Sequence, residues 1–258
     1  MYFDRDNLFH VDYNVSTYCC DASYHSFLRF YFQIVQETAG LHAAFRHVSL
    51  PELNQIGKTW VVLRTTMTIN RYASWKELIH VTTGISKSTG FFGPRIVYAL
   101  DDKNNELFSA KTVWAVLNID NHMPQRMNEI SDALVPTLKE DDKILSLKER
   151  DPKINSSFFK NLPEISSYVP QITYYDTDIN NHINNIVYLD WFINALPESY
   201  YKSYSPSFVD IAWNHEVHNT NEVIVKVYKI DEFHLGFILF NNTTKEESCI
   251  SEITFRKK

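Results

Sequence analysis

The chain has 258 residues, with 44% hydrophobic and 14% aromatic content and a formal net charge of −6; this is enough apolar mass for a packed core, and the charge gives general nucleic-acid binding no support. Its three cysteines, Cys19, Cys20 and Cys249, form neither an even disulfide framework nor a paired Cys/His spacing, so no disulfide scaffold and no zinc site is expected. No apolar run approaches the roughly 20 residues of a membrane span, and Asp4-Arg5-Asp6-Asn7 interrupts any secretory signal, so the expected setting is cytoplasmic, with no membrane partner.

In chain order, a short strand near Val11–Val15 is followed by a helical pattern from about His25 to Phe45, with Phe27, Phe30, Ile34, Thr38, Leu41 and Phe45 at helical spacing. Gly40 inside this pattern costs about 1 kcal/mol relative to Ala, for which either close packing or simple tolerance accounts. Strand-like runs follow at Trp60–Ile69, Glu77–Ile85, Gly93–Leu100 and Leu107–Leu117, the last two separated by the turn Asp101-Asp102-Lys103-Asn104-Asn105. The segment Ser131–Ser167 differs in texture, with charge runs from Lys139 to Lys143 and from Lys148 to Lys153 that suit a solvated helix and linker. The same order then repeats. A strand at Gln171–Tyr175 precedes a helix from about Asn184 to Leu196, stopped by Pro197, and strands are expected at Ser207–His218, Glu222–Ile230, His234–Asn241 and Glu247–Arg256. Each half therefore predicts a helix against successive antiparallel strands, an α+β layer.

The repeat differs most at the start of its second helix. Asp176-Thr177-Asp178-Ile179-Asn180-Asn181-His182-Ile183-Asn184-Asn185, with Tyr188 and Trp191 behind it, gathers carboxylates, carboxamides and an imidazole where a helix N-terminus leaves N–H groups free. Capping explains one or two of these residues, not the whole string. Acyl transfer needs such a combination of oxyanion site and proton-handling group, and it does so without a metal or cofactor. The first half has Asp21-Ala22-Ser23-Tyr24-His25 in the equivalent place, without the paired Asn and His.

These residues, together with Gln36-Glu37-Thr38-Ala39-Gly40-Leu41-His42, Trp60-Val61-Val62-Leu63-Arg64, Ile69-Asn70-Arg71-Tyr72, Trp75, Trp114 and Pro124-Gln125-Arg126, resemble the acyl-acyl carrier protein thioesterases over nearly the whole length. The resemblance implies two tandem hotdog folds, each an antiparallel sheet wrapped around a long helix. It divides the chain into an acyl-binding N-terminal hotdog (1–130), a linker (131–167) and a catalytic C-terminal hotdog (168–258). It also implies an active site of Asp178, Asn180 and His182, completed by a glutamate on the following strand, which Glu216 matches. The alternation of Ile211, Trp213, His215 and Val217 puts Glu216 on the opposite strand face, with Ala212 and Asn214.

Plant relatives carry a cysteine after this glutamate; Val217 stands there in this chain, which excludes a thiol nucleophile at that place. The implied reaction is hydrolysis of a fatty acyl-phosphopantetheine thioester on acyl carrier protein, releasing free fatty acid, with no cofactor and no metal. Since the fused halves already form a pseudo-dimer, a homodimer is compatible but not required. The competing functions are a hotdog thioesterase acting on acyl-coenzyme A and a non-catalytic acyl-binding hotdog protein. The Asp, Asn, His and Glu set argues against the second, because a pure binder needs no such constellation. The aromatic first helix, with Phe27, Phe30, Tyr31 and Phe32, suits either an acyl tunnel or ordinary core.

Overall fold

Two short strands, β1 (Tyr2–Phe3) and β2 (Phe9–Asn14), precede the extended residue Phe27, which releases the chain into helix α1 (Leu28–Phe45). The helix starts later than its spacing suggests because Ser26 is bridged to Cys20 and His25 to Ser74. The computed structural model describes residues 1–86, 88, 90–137 and 154–258. Its two compact units are Met1–Asp151 and Pro152–Lys258.

In the first unit α1 is followed by α2 (Leu50–Asn54), β3 (Lys58–Ile69), β4 (Leu78–Ile85), β5 (Phe92–Leu100), β6 (Glu106–Asn118), β7 (Pro124–Gln125) and α3 (Asn128–Ala133). The strands form an antiparallel sheet in the order β1-β2-β4-β5-β6-β3, with β7 pairing β6. The helix buries two rows, Leu28/Tyr31/Val35/Ala39/His42 and Phe30/Ile34/Thr38, so far more than one narrow stripe leaves solvent. Tyr31 shows how such a side chain is accommodated. Its ring stacks on Tyr72 at 5.4 Å and tilts against Phe108 at 4.6 Å. Its hydroxyl donates to the Arg71 carbonyl (2.8 Å) and accepts from the Ala73 N–H (2.7 Å), so burial leaves no polar atom unpaired. The Arg71 guanidinium donates to Glu77 and Asp101, fastening two turns at one end of the sheet.

The second unit contains α4 (Ser156–Phe159), β8 (Glu164–Tyr168), α5 (Val187–Asn194), α6 (Glu198–Ser203), β9 (Tyr204–Trp213), β10 (Val223–Lys229), β11 (His234–Asn241) and β12 (Glu246–Lys257). Its antiparallel order is β9-β12-β11-β10-β8. Phe159 is fully buried on this sheet within the cluster Ile154, Tyr228, Ile238 and Ile250. Gly236 permits that seat: a Cβ there would lie 2.7 Å from the Phe159 ring.

The turn at Asp101–Asn105 between β5 and β6 and its counterpart at Asn241–Lys245 between β11 and β12 close by the same device. Asp101 Oδ1 accepts the N–H groups of Lys103 and Asn105, and Asn241 Oδ1 accepts those of Thr243 and Thr244.

Four expectations change. Gln171–Tyr175 forms no strand, because Thr173 and Asp176 close a capping box around a single 3-10 turn, Tyr174–Asp176. The second helix is not long: α5 has 8 residues against 18 in α1. β9 ends at Trp213, since the N–H groups of Asn214 and His215 both turn to the Ser248 carbonyl, so Glu216 lies beyond the strand rather than on one of its faces. Residues 154–167, expected in the linker, supply α4 and all but the last residue of β8 to the second unit. The charge runs Lys139–Lys143 and Lys148–Lys153 lie outside the described residues.

Candidate active site

The polar string divides into residues that shape the loop and residues that the loop presents. Asp176 accepts from the Thr173 N–H (2.7 Å) and hydroxyl (3.0 Å), and its carbonyl accepts from the Asn184 N–H at 2.7 Å. Asp178 Oδ1 accepts the Asn180 N–H at 2.8 Å, while the Asp178 N–H donates to the His182 carbonyl at 2.8 Å. Together with the antiparallel bridge between Thr177 and Ile183, these bonds make Asp178–His182 a tight turn. Asn181 occupies the left-handed region at φ 62°, which carboxamide residues tolerate better than most. Asn184 Oδ1 accepts the Ile186 N–H at 2.9 Å, starting the turn that leads into α5.

This accounting assigns Asp176, Asp178, Asn181 and Asn184 to the backbone. Asn180 and His182 remain on the turn with side chains that its hydrogen bonds do not consume. His182 Nε2 lies 3.2 Å from Glu216 Oε2, both side chains being partly accessible. The contact is built from the backbone. The Ile183 N–H donates to the Val217 carbonyl (2.8 Å), tying the turn to the loop after β9. The indole N–H of Trp213 donates to the Asn185 carbonyl (3.3 Å), adding a second tie. Val217 itself is fully buried.

Burial pushes Tyr188 well above the ordinary tyrosine range, with the Cys249, Glu216 and Asp178 side chains adding to the shift, so Tyr188 stays neutral. Burial also pushes the Cys249 thiol well up, which leaves it protonated and unsuited to nucleophilic attack.

Of the four residues expected at the site, the structure joins His182 to Glu216 directly. It gives Asp178 a holding role under Asn180. Among the described residues no hydrogen bond joins the Asn180 side chain to either member of the pair, and only its placement on the same turn associates it with them. Sequence reasoning missed His218. Its ring meets that of His182 edge-on, with centroids 4.8 Å apart. The one available signal was its spacing, two residues past Glu216 with an apolar residue between.

A tandem antiparallel-sheet protein with an imidazole–carboxylate pair in its second unit is the class that these features define. Within it, the chain belongs to the acyl-ACP thioesterase family: the family's N-terminal domain matches residues 6–134 and its C-terminal domain residues 162–257. Among curated relatives, a chloroplastic palmitoyl-acyl carrier protein thioesterase of Cuphea hookeriana is 29% identical over 179 residues, covering 63% of this chain and 40% of the relative. A chloroplastic acyl-[acyl-carrier-protein] hydrolase of Cuphea viscosissima is 28% identical, covering 63% and 41% respectively. The chain thus spans about two fifths of the length of the curated relatives it matches. Among solved structures, an acyl-ACP thioesterase from Bacteroides thetaiotaomicron superposes with a TM-score of 0.78 at 20% identity, covering 96% of this chain and 98% of that one. A 12:0-ACP thioesterase from Umbellularia californica superposes with a TM-score of 0.81 at 17% identity, covering 97% and 98%. These likenesses establish a shared fold. Among the described residues no helix is long and apolar enough to cross a membrane.

Proposed function

We propose that this chain hydrolyses the thioester of a fatty acyl group on acyl carrier protein, releasing free fatty acid, with the chemistry in the second unit. The observation that carries the reading is the 3.2 Å contact between His182 Nε2 and Glu216 Oε2 on backbone-tied loops. A carboxylate and an imidazole in mutual contact can take a proton from water while it attacks the carbonyl carbon. The C–S bond then breaks, and the proton returns to the departing phosphopantetheine thiol. Asn180 orients the water or steadies the oxyanion, and Asp178 holds the turn through the Asn180 N–H. With Val217 in the cysteine position and Cys249 buried and protonated, attack falls to water rather than to a thiol.

The finer fold belongs to the same reading. Each unit is a hotdog, the first (Met1–Asp151) receiving the acyl chain and the second (Pro152–Lys258) reacting with its thioester. The longer α1, buried on several sides, suits the receiving role, while the short α5 behind the polar turn suits the reacting one.

The test pairs one acyl group on carrier protein and on coenzyme A with wild type and three variants. His182→Ala, Glu216→Ala and Asn180→Ala should each lower kcat by roughly 10²–10⁴ in a folded protein. Turnover should favour the carrier-protein thioester. Added salt should narrow that preference, since contacts to an acidic partner are screened over about 8 Å at 0.15 M ionic strength. Faster turnover of the coenzyme A thioester at every salt concentration would move the chain to the acyl-CoA class. Folded His182→Ala and Glu216→Ala proteins with near-normal turnover would remove the pair from the mechanism.

A further inference from the structure

His182, Glu216 and His218 can each place one ligand atom within 4.8 Å of the others. The hydrolytic reading uses the first two and leaves His218 without a task. The fold holds the group together with some care. Val217, between Glu216 and His218, is fully buried, and its carbonyl accepts from the Ile183 N–H at 2.8 Å. With Val217 turned inward, its two neighbours are exposed, beside the half-buried His182. The His218 N–H donates to Asn221 Oδ1 at 2.8 Å, which fixes the far side of the loop.

We propose that His182, Glu216 and His218 form a binding site for a divalent transition metal of the zinc type, and that the bound ion blocks hydrolysis.

Two imidazoles and one carboxylate are a donor set that zinc takes, leaving a fourth position for water. Magnesium and calcium prefer oxygen ligands throughout, so this set discriminates against them. The spacing also suits the ion. Zn–N and Zn–O bonds of about 2.0–2.2 Å place neighbouring tetrahedral ligand atoms roughly 3.3 Å apart. The His182–Glu216 contact is already 3.2 Å. Two imidazoles on one such ion have ring centroids about 5 Å apart, and those of His182 and His218 are 4.8 Å apart. Only a small adjustment of the exposed His218 side chain is needed to complete three ligands. Binding requires the imidazole lone pair and the carboxylate, the same electrons that would take a proton from the attacking water. Occupied by the ion, the pair can no longer serve as a base. The site itself stands on geometry alone, whereas the block on turnover rests on the reading of His182 and Glu216 as the hydrolytic pair.

The test uses the full chain after chelator treatment, with Cys19, Cys20 and Cys249 changed to Ser so that thiols do not compete. Zinc binding is measured by calorimetry, and cobalt(II) is added separately to read the visible bands of a four-coordinate site. Hydrolysis of an acyl thioester is followed in the same samples. One zinc per chain should bind, with turnover falling in proportion and returning on chelation. His218→Gln should weaken binding tenfold or more, retain metal-free turnover and lose its sensitivity to zinc. Equal zinc binding by wild type and His218→Gln would overturn the site, as would zinc that raises turnover overturn the block. Because binding is read without turnover, one-to-one binding lost in His218→Gln supports the site even in a chain that hydrolyses nothing. Failure of the site and failure of the hydrolytic reading therefore give different results.

Discussion

At His42 an imidazole is held neutral inside the first unit. The Arg95 guanidinium donates to His42 Nδ1 at 2.9 Å and to Thr83 Oγ1 at 3.1 Å, and Phe9 stacks on the imidazole at 5.5 Å. Burial first, then the nearby Arg95 and Arg46 charges, push His42 down to about 3. An unfolded histidine takes its proton near pH 6.5, so between that pH and about 3 the unfolded chain binds a proton that the native chain refuses. Stability therefore falls as pH falls through this window, by about 1.4 kcal/mol per unit from this residue. His42→Gln removes the titration. It should be less stable than wild type at pH 7, because Arg95 loses a well-placed acceptor, but the gap should narrow steadily towards pH 4. Denaturant melts of both proteins at several pH values measure it. A gap that stays constant from pH 7 to pH 4 would show that His42 does not titrate between the two states. The sequence placed His42 on the first helix but could not show this role, since nothing in the spacing reveals that Arg95, far along the chain, donates to it.

At the level of elements, strands β3 to β6 of the first unit were legible because each is a long run rich in β-branched or aromatic residues and bounded by turn residues, as β3 (Lys58–Ile69) is, whereas the two-residue strands β1 and β7 carry no such pattern. The second unit was harder where short-range polar bonds outweighed such a run. Tyr174 and Tyr175 look like strand residues, yet the Thr173–Asp176 box turns them outward, and both are exposed. The site was legible in part for the same reason. His182 and Glu216 meet through hydrogen bonds to Val217 and Asn185, contacts between segments that no local spacing encodes.

Two glycines give a matched test of packing at this scale. At Gly40 a Cβ meets nothing within 4 Å, which favours tolerance over close packing. Gly40→Ala should thus stabilise the first unit by about 0.5–1 kcal/mol through helix propensity. At Gly236 a Cβ would lie 2.7 Å from the fully buried Phe159 ring, and Gly236→Ala should cost about 1–3 kcal/mol as the ring is displaced. Thermal melts of the two variants should move in opposite directions. A Gly236→Ala protein as stable as wild type would mean that α4 does not pack against β11 as described.

Across the whole molecule, the proposed division of labour assigns chain length to the first unit and bond breaking to the second. α1 is the element on which that division can be probed, because its buried face mixes large and small side chains. Thr38 is already committed, donating to the Ile34 carbonyl at 2.6 Å and hydrogen-bonded to the Tyr13 hydroxyl at 2.9 Å, so enlarging it would break a buried polar pair. Ala39 is buried and carries no such bond, which makes it the cleaner position. Ala39→Val and Ala39→Phe add volume in graded steps. If the acyl chain lies along this face, each should shorten the preferred substrate, because a wall that excludes a methylene forfeits about 0.8 kcal/mol of its burial. The shift should be larger for Phe, which also risks about 1–3 kcal/mol of overpacking, so a melt must accompany each assay. Gas chromatography of the released fatty acids reads the outcome. Folded, active variants that release the wild-type spectrum would place the acyl chain away from α1, whereas a spectrum that shortens from wild type to Val to Phe, with His182 and Glu216 untouched, separates the measuring unit from the reacting one.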